Sequence, residues 1–238
     1  DKAGFDAALE VQRQMARDAR NDKEGRPVVY NTNGITVADL KVDEDATNGT
    51  IVKMYPAHDA QPIENAADGT EVAVICDVTA FHAEGGGQLG DIGTITAPTG
   101  KIDVTVTKKL PDGAVIMIGN VVEGTIAVGE AVTFTVDKAR KLDIARNHTA
   151  THLLHAALKQ VLGGHVNQAG SYVGPDRLRF DFTHFQAMTK EELAKVEEIV
   201  NDQIAAALPV VTKETTIDEA KKMGAMALFG EKYGSTVR

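Results

Sequence analysis

Val132-Thr133-Phe134-Thr135-Val136-Asp137 is the last of a series of segments in which apolar residues alternate, and beyond it the apolar residues recur with helical spacing. That change of period divides the chain into an all-β stretch and a mixed one. Upstream lie Ile35-Thr36-Val37, Thr50-Ile51-Val52-Lys53-Met54, Val72-Ala73-Val74-Ile75, Thr94-Ile95, Ile102-Asp103-Val104-Thr105-Val106 and Ala114-Val115-Ile116. All are short and β-branched, and Asn48-Gly49, Asp68-Gly69, Pro111-Asp112-Gly113 and Val128-Gly129 separate them. Many short strands at close spacing predict a small barrel or sandwich, and closure into a barrel leaves no exposed edges.

Downstream, Asn147 is suited to cap a helix over 148–162, which Gly163-Gly164 ends. Short strands are expected at 170–173 and 177–182. Thr189 and Glu192 have capping-box spacing ahead of a helix that turns Leu193, Val196, Ile199, Val200 and Ile204 inward before Pro209. A strand over 210–216, a short helix over 218–223 and a glycine-punctuated loop over 224–234 complete this half. At the other end, 1–24 reads as a helix with a thin stripe of Phe5, Leu9, Gln12 and Met15, stopped by Gly25 and Pro27. The expected class is α+β. A linker helix (1–26) leads into a small β-barrel (27–139), followed by an α+β domain (140–238) with helices on an antiparallel sheet.

The 238 residues are 43% hydrophobic and carry a net charge of −9, which excludes a disordered chain and argues against a nucleic-acid binder taken whole. The charge is uneven. Residues 1–137 hold 11 basic and 22 acidic side chains, and 138–238 hold 14 and 12. A local basic stretch can dock phosphate, and it can equally be a solvated face. The single cysteine, Cys76, sits in an apolar strand, fits a reducing cytosol and reads as packing rather than as a nucleophile. No apolar run is long enough to span a membrane, and no signal-peptide pattern opens the chain. A start at Asp1 and a stop at Arg238 lead us to expect a piece of a longer protein.

The sharpest motif is His148-Thr149-Ala150-Thr151-His152. Histidines at i and i+4 project from one helix face and can share a metal, although zinc takes three or four protein ligands and the pair is half a set. The spacing also suits two polar histidines on a half-buried helix. His155 follows one turn on. No Glu follows His148, so the metalloprotease pattern is absent. Thr151 could orient a substrate amine or a water, or bond its own helix backbone. Gln168 and Ser171 could line a pocket or serve a turn. In Phe81-His-Ala-Glu-Gly-Gly-Gly-Gln-Leu-Gly90 three glycines permit close backbone approach, without the Lys of a phosphate-binding loop. A hairpin connection is the default reading there.

Together, His148-Thr-Ala-Thr-His-Leu-Leu-His155, Arg177-Leu-Arg-Phe-Asp-Phe182, Gly224-Ala-Met-Ala-Leu-Phe-Gly-Glu-Lys-Tyr-Gly234 and the glycine segment resemble the central editing region of the alanyl-tRNA synthetase family. The opening Gly4-Phe5 … Gln12-Arg13 … Ala16-Arg17 extends the likeness over the chain. The resemblance implies a class II aminoacyl-tRNA synthetase whose ATP- and Mg2+-dependent aminoacylation belongs to domains preceding Asp1. For this region it implies hydrolysis of tRNA(Ala) mischarged with serine or glycine, by an editing domain that is incomplete at its C-terminus. It also implies Zn2+ on His148 and His152, completed by a Cys-x-x-x-His pair beyond Arg238, so that zinc binding by this chain alone is expected to be weak or absent. Thr151, Gln168 and Ser171 match pocket positions of the family. Gly85, Gly86, Gly87 and Gln88 match its glycine motif, with His82 and Gly85 standing where the family has Tyr and Ser. Arg140, Lys141, Arg146, Arg177 and Arg179 are expected to hold acceptor-end phosphates. The implied setting is cytoplasmic, with tRNA(Ala) as partner, no membrane and no stable protein partner. A free-standing trans-editing deacylase and a non-catalytic tRNA-binding module are the rival readings.

Overall fold

The computed structural model describes residues 28–225 and 234–237. The helix expected over 1–24 and most of the 224–234 loop lie outside the described residues. The chain forms two compact units, one built from 28–81 and 92–135, the other from 82–91 and 136 onward. The second unit thus takes 82–91 out of the stretch read as barrel.

In the first unit the strands are β1 (Lys41–Val42), β2 (Asn48–Pro56), β3 (Asn65–Ala67), β4 (Glu71–Cys76), β5 (Val78–Thr79), β6 (Gly93–Thr96), β7 (Gly100–Lys109), β8 (Val115–Ala127) and β9 (Ala131–Val136). Six of them close on themselves in the order β8-β4-β2-β9-β6-β7 and back to β8, with β3 paired to the far half of β8. The expected barrel is therefore present. Ile51, Met54, Val72, Val74, Ile95, Ile102, Ile116 and Ile126 are fully buried within this unit. On β4 every residue from Val72 to Cys76 is buried, as in strands covered on both faces. The second cover includes Tyr30, Ile35 and Leu40, packed around Tyr55, Ala73, Ile75 and Ile116. Burial pushes the Cys76 thiol well up, so it stays protonated, in keeping with a packing role.

Two expectations for this unit need correction. Ile35-Thr36-Val37 is not a strand, because a 3-10 turn occupies Val37–Asp39 and Ile35 packs over the Tyr55 cluster instead. The strand seen as Ala114-Val115-Ile116 runs on through Gly119, Asn120 and Gly124 to Ala127. Its second half is interrupted by Gly119, Asn120 and Gly124, which break the β-branched pattern, and is held by pairing to β4, β7 and β3.

The second unit contains α1 (Lys138–Leu162), the antiparallel hairpin β10 (Gln168–Val173) and β11 (Leu178–Phe182), α2 (Lys190–Ala206), β12 (Thr215–Thr216), α3 (Ile217–Lys222) and β13 (Thr236–Val237). Its core joins Ala157, Leu158 and Val166 to Val196, with Phe180, Phe182, Ile199 and Val200 packed around them. Thr189 and Glu192 form the expected capping box. Asn147 does not cap α1. The helix formers of 138–146 carry it back to Asp137, whose carboxylate accepts the Arg140 N–H at 3.0 Å. Leu193 and Ile204 are half exposed, since only the middle of the α2 stripe reaches the core. The strand expected over 210–216 shrinks to Thr215–Thr216, paired with Thr236–Val237, while Val210 and Val211 are exposed. β-Branched residues without a neighbouring strand do not make one. Among the described residues no helix is long and apolar enough to cross a membrane.

Candidate functional site

The glycine segment is a built element of the second unit rather than a plain connection. Gly85 and Gln88 exchange backbone hydrogen bonds of 3.1 and 2.9 Å around Gly86 and Gly87, whose φ angles are +59° and +87°. Two positive φ values in the central positions are those of a tight hairpin turn that favours glycine. The turn lies along the end of β10. Val173 N–H donates to Gly87 O at 2.7 Å and Leu89 N–H to Val173 O at 3.0 Å. A Cβ on Gly87 would stand 2.3 Å from Ser171 O, so glycine is also required for the approach.

Two cations of α1 fasten the base of the segment. Lys141 Nζ is 2.7 Å from a carboxylate oxygen of the buried Asp91, and that oxygen also accepts the His82 N–H at 2.9 Å. Arg140 donates to Gly90 O at 2.8 Å. Arg140 and Lys141, expected on phosphate, are thus engaged in holding this segment. Arg146 pairs with Asp143, Arg179 with Asp181, and Arg177 lies over the Tyr172 ring at 5.5 Å. The two exposed ion pairs are weak enough to be exchanged for an anion.

The segment brings Gln88 to the histidine motif. Gln88 Oε1 lies 2.6 Å from His148 Nδ1, and the His148 and His152 rings are nearly parallel, 15° apart with centroids separated by 5.1 Å. Both histidines are exposed, so the stacked pair lies on an open face of α1. His155 continues the same stripe, yet it is buried against Phe180, with ring centroids 4.9 Å apart. The face is open for one turn and covered by β11 at the next. Thr151 is buried and donates to Asn147 O at 2.8 Å, the local helix bond. Asn147 donates to Gly174 O and Pro175 O, tying the β10–β11 turn to α1. Ser171 enters the set through the backbone beneath Gly87, while Gln168 stands at the other end of β10 opposite Phe182.

For zinc, the described residues supply two imidazole donors, one of them with its other nitrogen already hydrogen-bonded, as ligating histidines usually are. No group of three or more metal-ligating side chains occurs among the described residues. The pair fits half of a zinc site.

Although His148 is exposed, partial desolvation of its ring against the glycine segment lowers its pKa, with the His152 and His82 charges adding. Burial likewise lowers His155, opposed by a backbone hydrogen bond at Val166 and assisted by Lys159 and His152. A lowered folded pKa means that the unfolded chain binds more protons just below about pH 6.5, so this contribution is complete above that pH and is lost as pH falls through the window beneath it. We expect the stability of this unit against urea to fall between pH 7.5 and 5, and less so in His155→Leu. Identical pH slopes for the two proteins would refute the assignment to His155.

Sequence reading missed two features here. The Lys141–Asp91 latch joins residues 50 positions apart and has no local signature. His165 and His184 share a 2.9 Å hydrogen bond beneath the exposed Phe185 ring, again across a long separation.

The sequence model of the tRNA synthetases class II (A) matches residues 1–140. The chain belongs to this synthetase family. The matched part ends at the start of α1, but similarity to individual relatives covers the whole chain. It is 46% identical to an alanine–tRNA ligase of Acetivibrio thermocellus, 47% to one of Alkaliphilus oremlandii and 48% to one of Pelotomaculum thermopropionicum. Each comparison takes in 100% of this chain and 27–28% of the relative. This synthetase chain therefore corresponds to about a quarter of those ligases, and its histidine motif lies within the shared region.

Proposed function

We propose that the chain is the proofreading part of an alanine–tRNA ligase, hydrolysing the ester of tRNA(Ala) mischarged with serine or glycine. The observation that carries this reading is the open pair of parallel imidazoles on α1, with the glycine turn clamped over β10 beside it. A separate hydrolytic site answers a physical need. A synthetic pocket for alanine excludes neither the smaller glycine nor, strongly, serine, which adds one hydroxyl.

The reaction is addition of water to the ester carbonyl and departure of the terminal ribose hydroxyl, which takes up the proton that water loses. A zinc ion on His148 and His152, with further donors from outside the described residues, would polarise water or the carbonyl. Gln88 holds the His148 ring. The Thr151 oxygen keeps lone pairs as an acceptor after donating to Asn147. Ser171 and Gln168, on β10, are the pocket wall that reads the amino-acid side chain. Arg146, Arg177 and Arg179 receive phosphates of the acceptor end. Aminoacylation with ATP and Mg2+ belongs, in this reading, to other parts of the ligase, and the setting is cytoplasmic.

The test is deacylation of Ser-tRNA(Ala) and Gly-tRNA(Ala) by the full-length ligase and its His148→Ala and His152→Ala variants. Each variant should lose about 100-fold or more, the low end of what a group handling the reacting proton or water contributes. Unchanged rates leave only a tRNA-binding role. Hydrolysis by the 238-residue chain alone, at the rate of the full-length enzyme, would favour a free-standing deacylase.

A further inference from the structure

We propose that Gln88 is a positioning residue that fixes His148 as the Nδ1–H tautomer and leaves Nε2 as its basic nitrogen. The proposal concerns the histidine pair of the preceding reading, but it stands on the geometry of the glycine segment and not on the reaction.

An imidazole has two unlike nitrogens, and the partner of one decides the character of the other. The Gln88 carbonyl oxygen is an acceptor only, so a 2.6 Å contact with His148 Nδ1 places the hydrogen on Nδ1. Nε2 then carries the lone pair. That is the nitrogen with which the ring can bind a cation or accept a proton from water. His152 contributes its ring to the same open face at 5.1 Å.

The main chain around Gln88 is held on both sides. Its own N–H and C=O are bonded to Gly85, and the neighbouring Gly87 C=O and Leu89 N–H are bonded to Val173. Behind it the ion pair of the half-buried Lys141 with the buried Asp91, and the Arg140–Gly90 bond, anchor the segment to α1, the helix that carries His148. None of these bonds uses the Gln88 side chain. The fold therefore delivers one amide to one imidazole nitrogen from 60 residues away, and that side chain is replaceable without unmaking the turn.

The tautomer is read directly by long-range nitrogen–proton NMR of the histidine rings at pH 8, where imidazole is neutral. Wild-type protein should show His148 as the Nδ1–H form. Gln88→Ala should move it to the Nε2–H form that free histidine favours. Gln88→Glu, whose carboxylate accepts the same hydrogen, should restore Nδ1–H. The His155 signals report in each variant that the unit remains folded. An Nε2–H form in the wild type, or an Nδ1–H form that survives Gln88→Ala, would overturn the proposal. A tautomer switch in a ligase unable to deacylate mischarged tRNA would retain the proposal and refute the editing function.

Discussion

Gly119→Ala should open the barrel. Gly119 lies in β8 between Val72 of β4 and Val104 of β7, so both of its sides are occupied by paired backbone. A Cβ there would be 2.0 Å from Asp103 O and 2.8 Å from both Asp103 C and Val104 Cα. These are main-chain atoms of the strand that closes the ring, and no side chain can swing aside to make room. Overpacking of this kind costs about 3 kcal/mol or more. In a unit of roughly 100 residues that lowers Tm by roughly 15 °C. The control is Gly129→Ala, where φ is +86° but nothing lies within 4 Å of the added carbon. It should lose only about 1 kcal/mol, from backbone strain. Equal losses in calorimetry for the two variants would show that β7 gives way to the added carbon and that the close approach at 119 is not what demands glycine.

Gly87→Ala should release the glycine turn from β10. There the two handicaps coincide, a φ of +87° and a Cβ 2.3 Å from Ser171 O. Relief requires the turn to lift, which breaks the Val173–Gly87 and Leu89–Val173 bonds and carries Gln88 away from His148. Hydrogen exchange at the Val173 amide should accelerate by about 10-fold or more, the equivalent of about 1.4 kcal/mol in local stability, while the barrel amides stay protected. On the proofreading function proposed above, deacylation of Ser-tRNA(Ala) by the full-length ligase should fall by about 100-fold, since a displacement near 1 Å at a reacting centre suffices for that. Gly86→Ala, with positive φ but open space around it, should cost only about 1 kcal/mol of backbone strain and so accelerate exchange by about 5-fold at most. A Val173 amide as protected in Gly87→Ala as in the parent would mean that the turn tolerates a side chain and that the clamp is not tight.

Local sequence was enough for the features that depend on neighbours along the chain. Short β-branched segments located β2, β4, β6, β7 and β9, and turn residues separated them. Thr189 and Glu192 announced their capping box, because both partners lie within one helical turn. The i, i+4 spacing of His148 and His152 placed two rings on one face, a consequence of helix geometry alone.

What needed the tertiary structure joins residues far apart. On β7, register shifts beside Ile102 and between Val104 and Val106 end the alternation, so that Thr107 is fully buried while Val106 is only partly so. Such a bulge belongs to the pairing and not to either strand. Asp137 displaced Asn147 as the cap of α1 because the helix continued as far back as helix formers and a free carboxylate allowed. Most of all, the glycine segment was legible as a place where backbone could come close, but not as to what it approaches. That answer, Ser171 beneath it and His148 beside it, depends on hydrogen bonds and a salt bridge across 50 residues or more. Period, propensity and capping express energies between residues a few positions apart. Contacts closed by a long loop leave no periodic trace in the residues that make them, so only the folded chain shows which ones form.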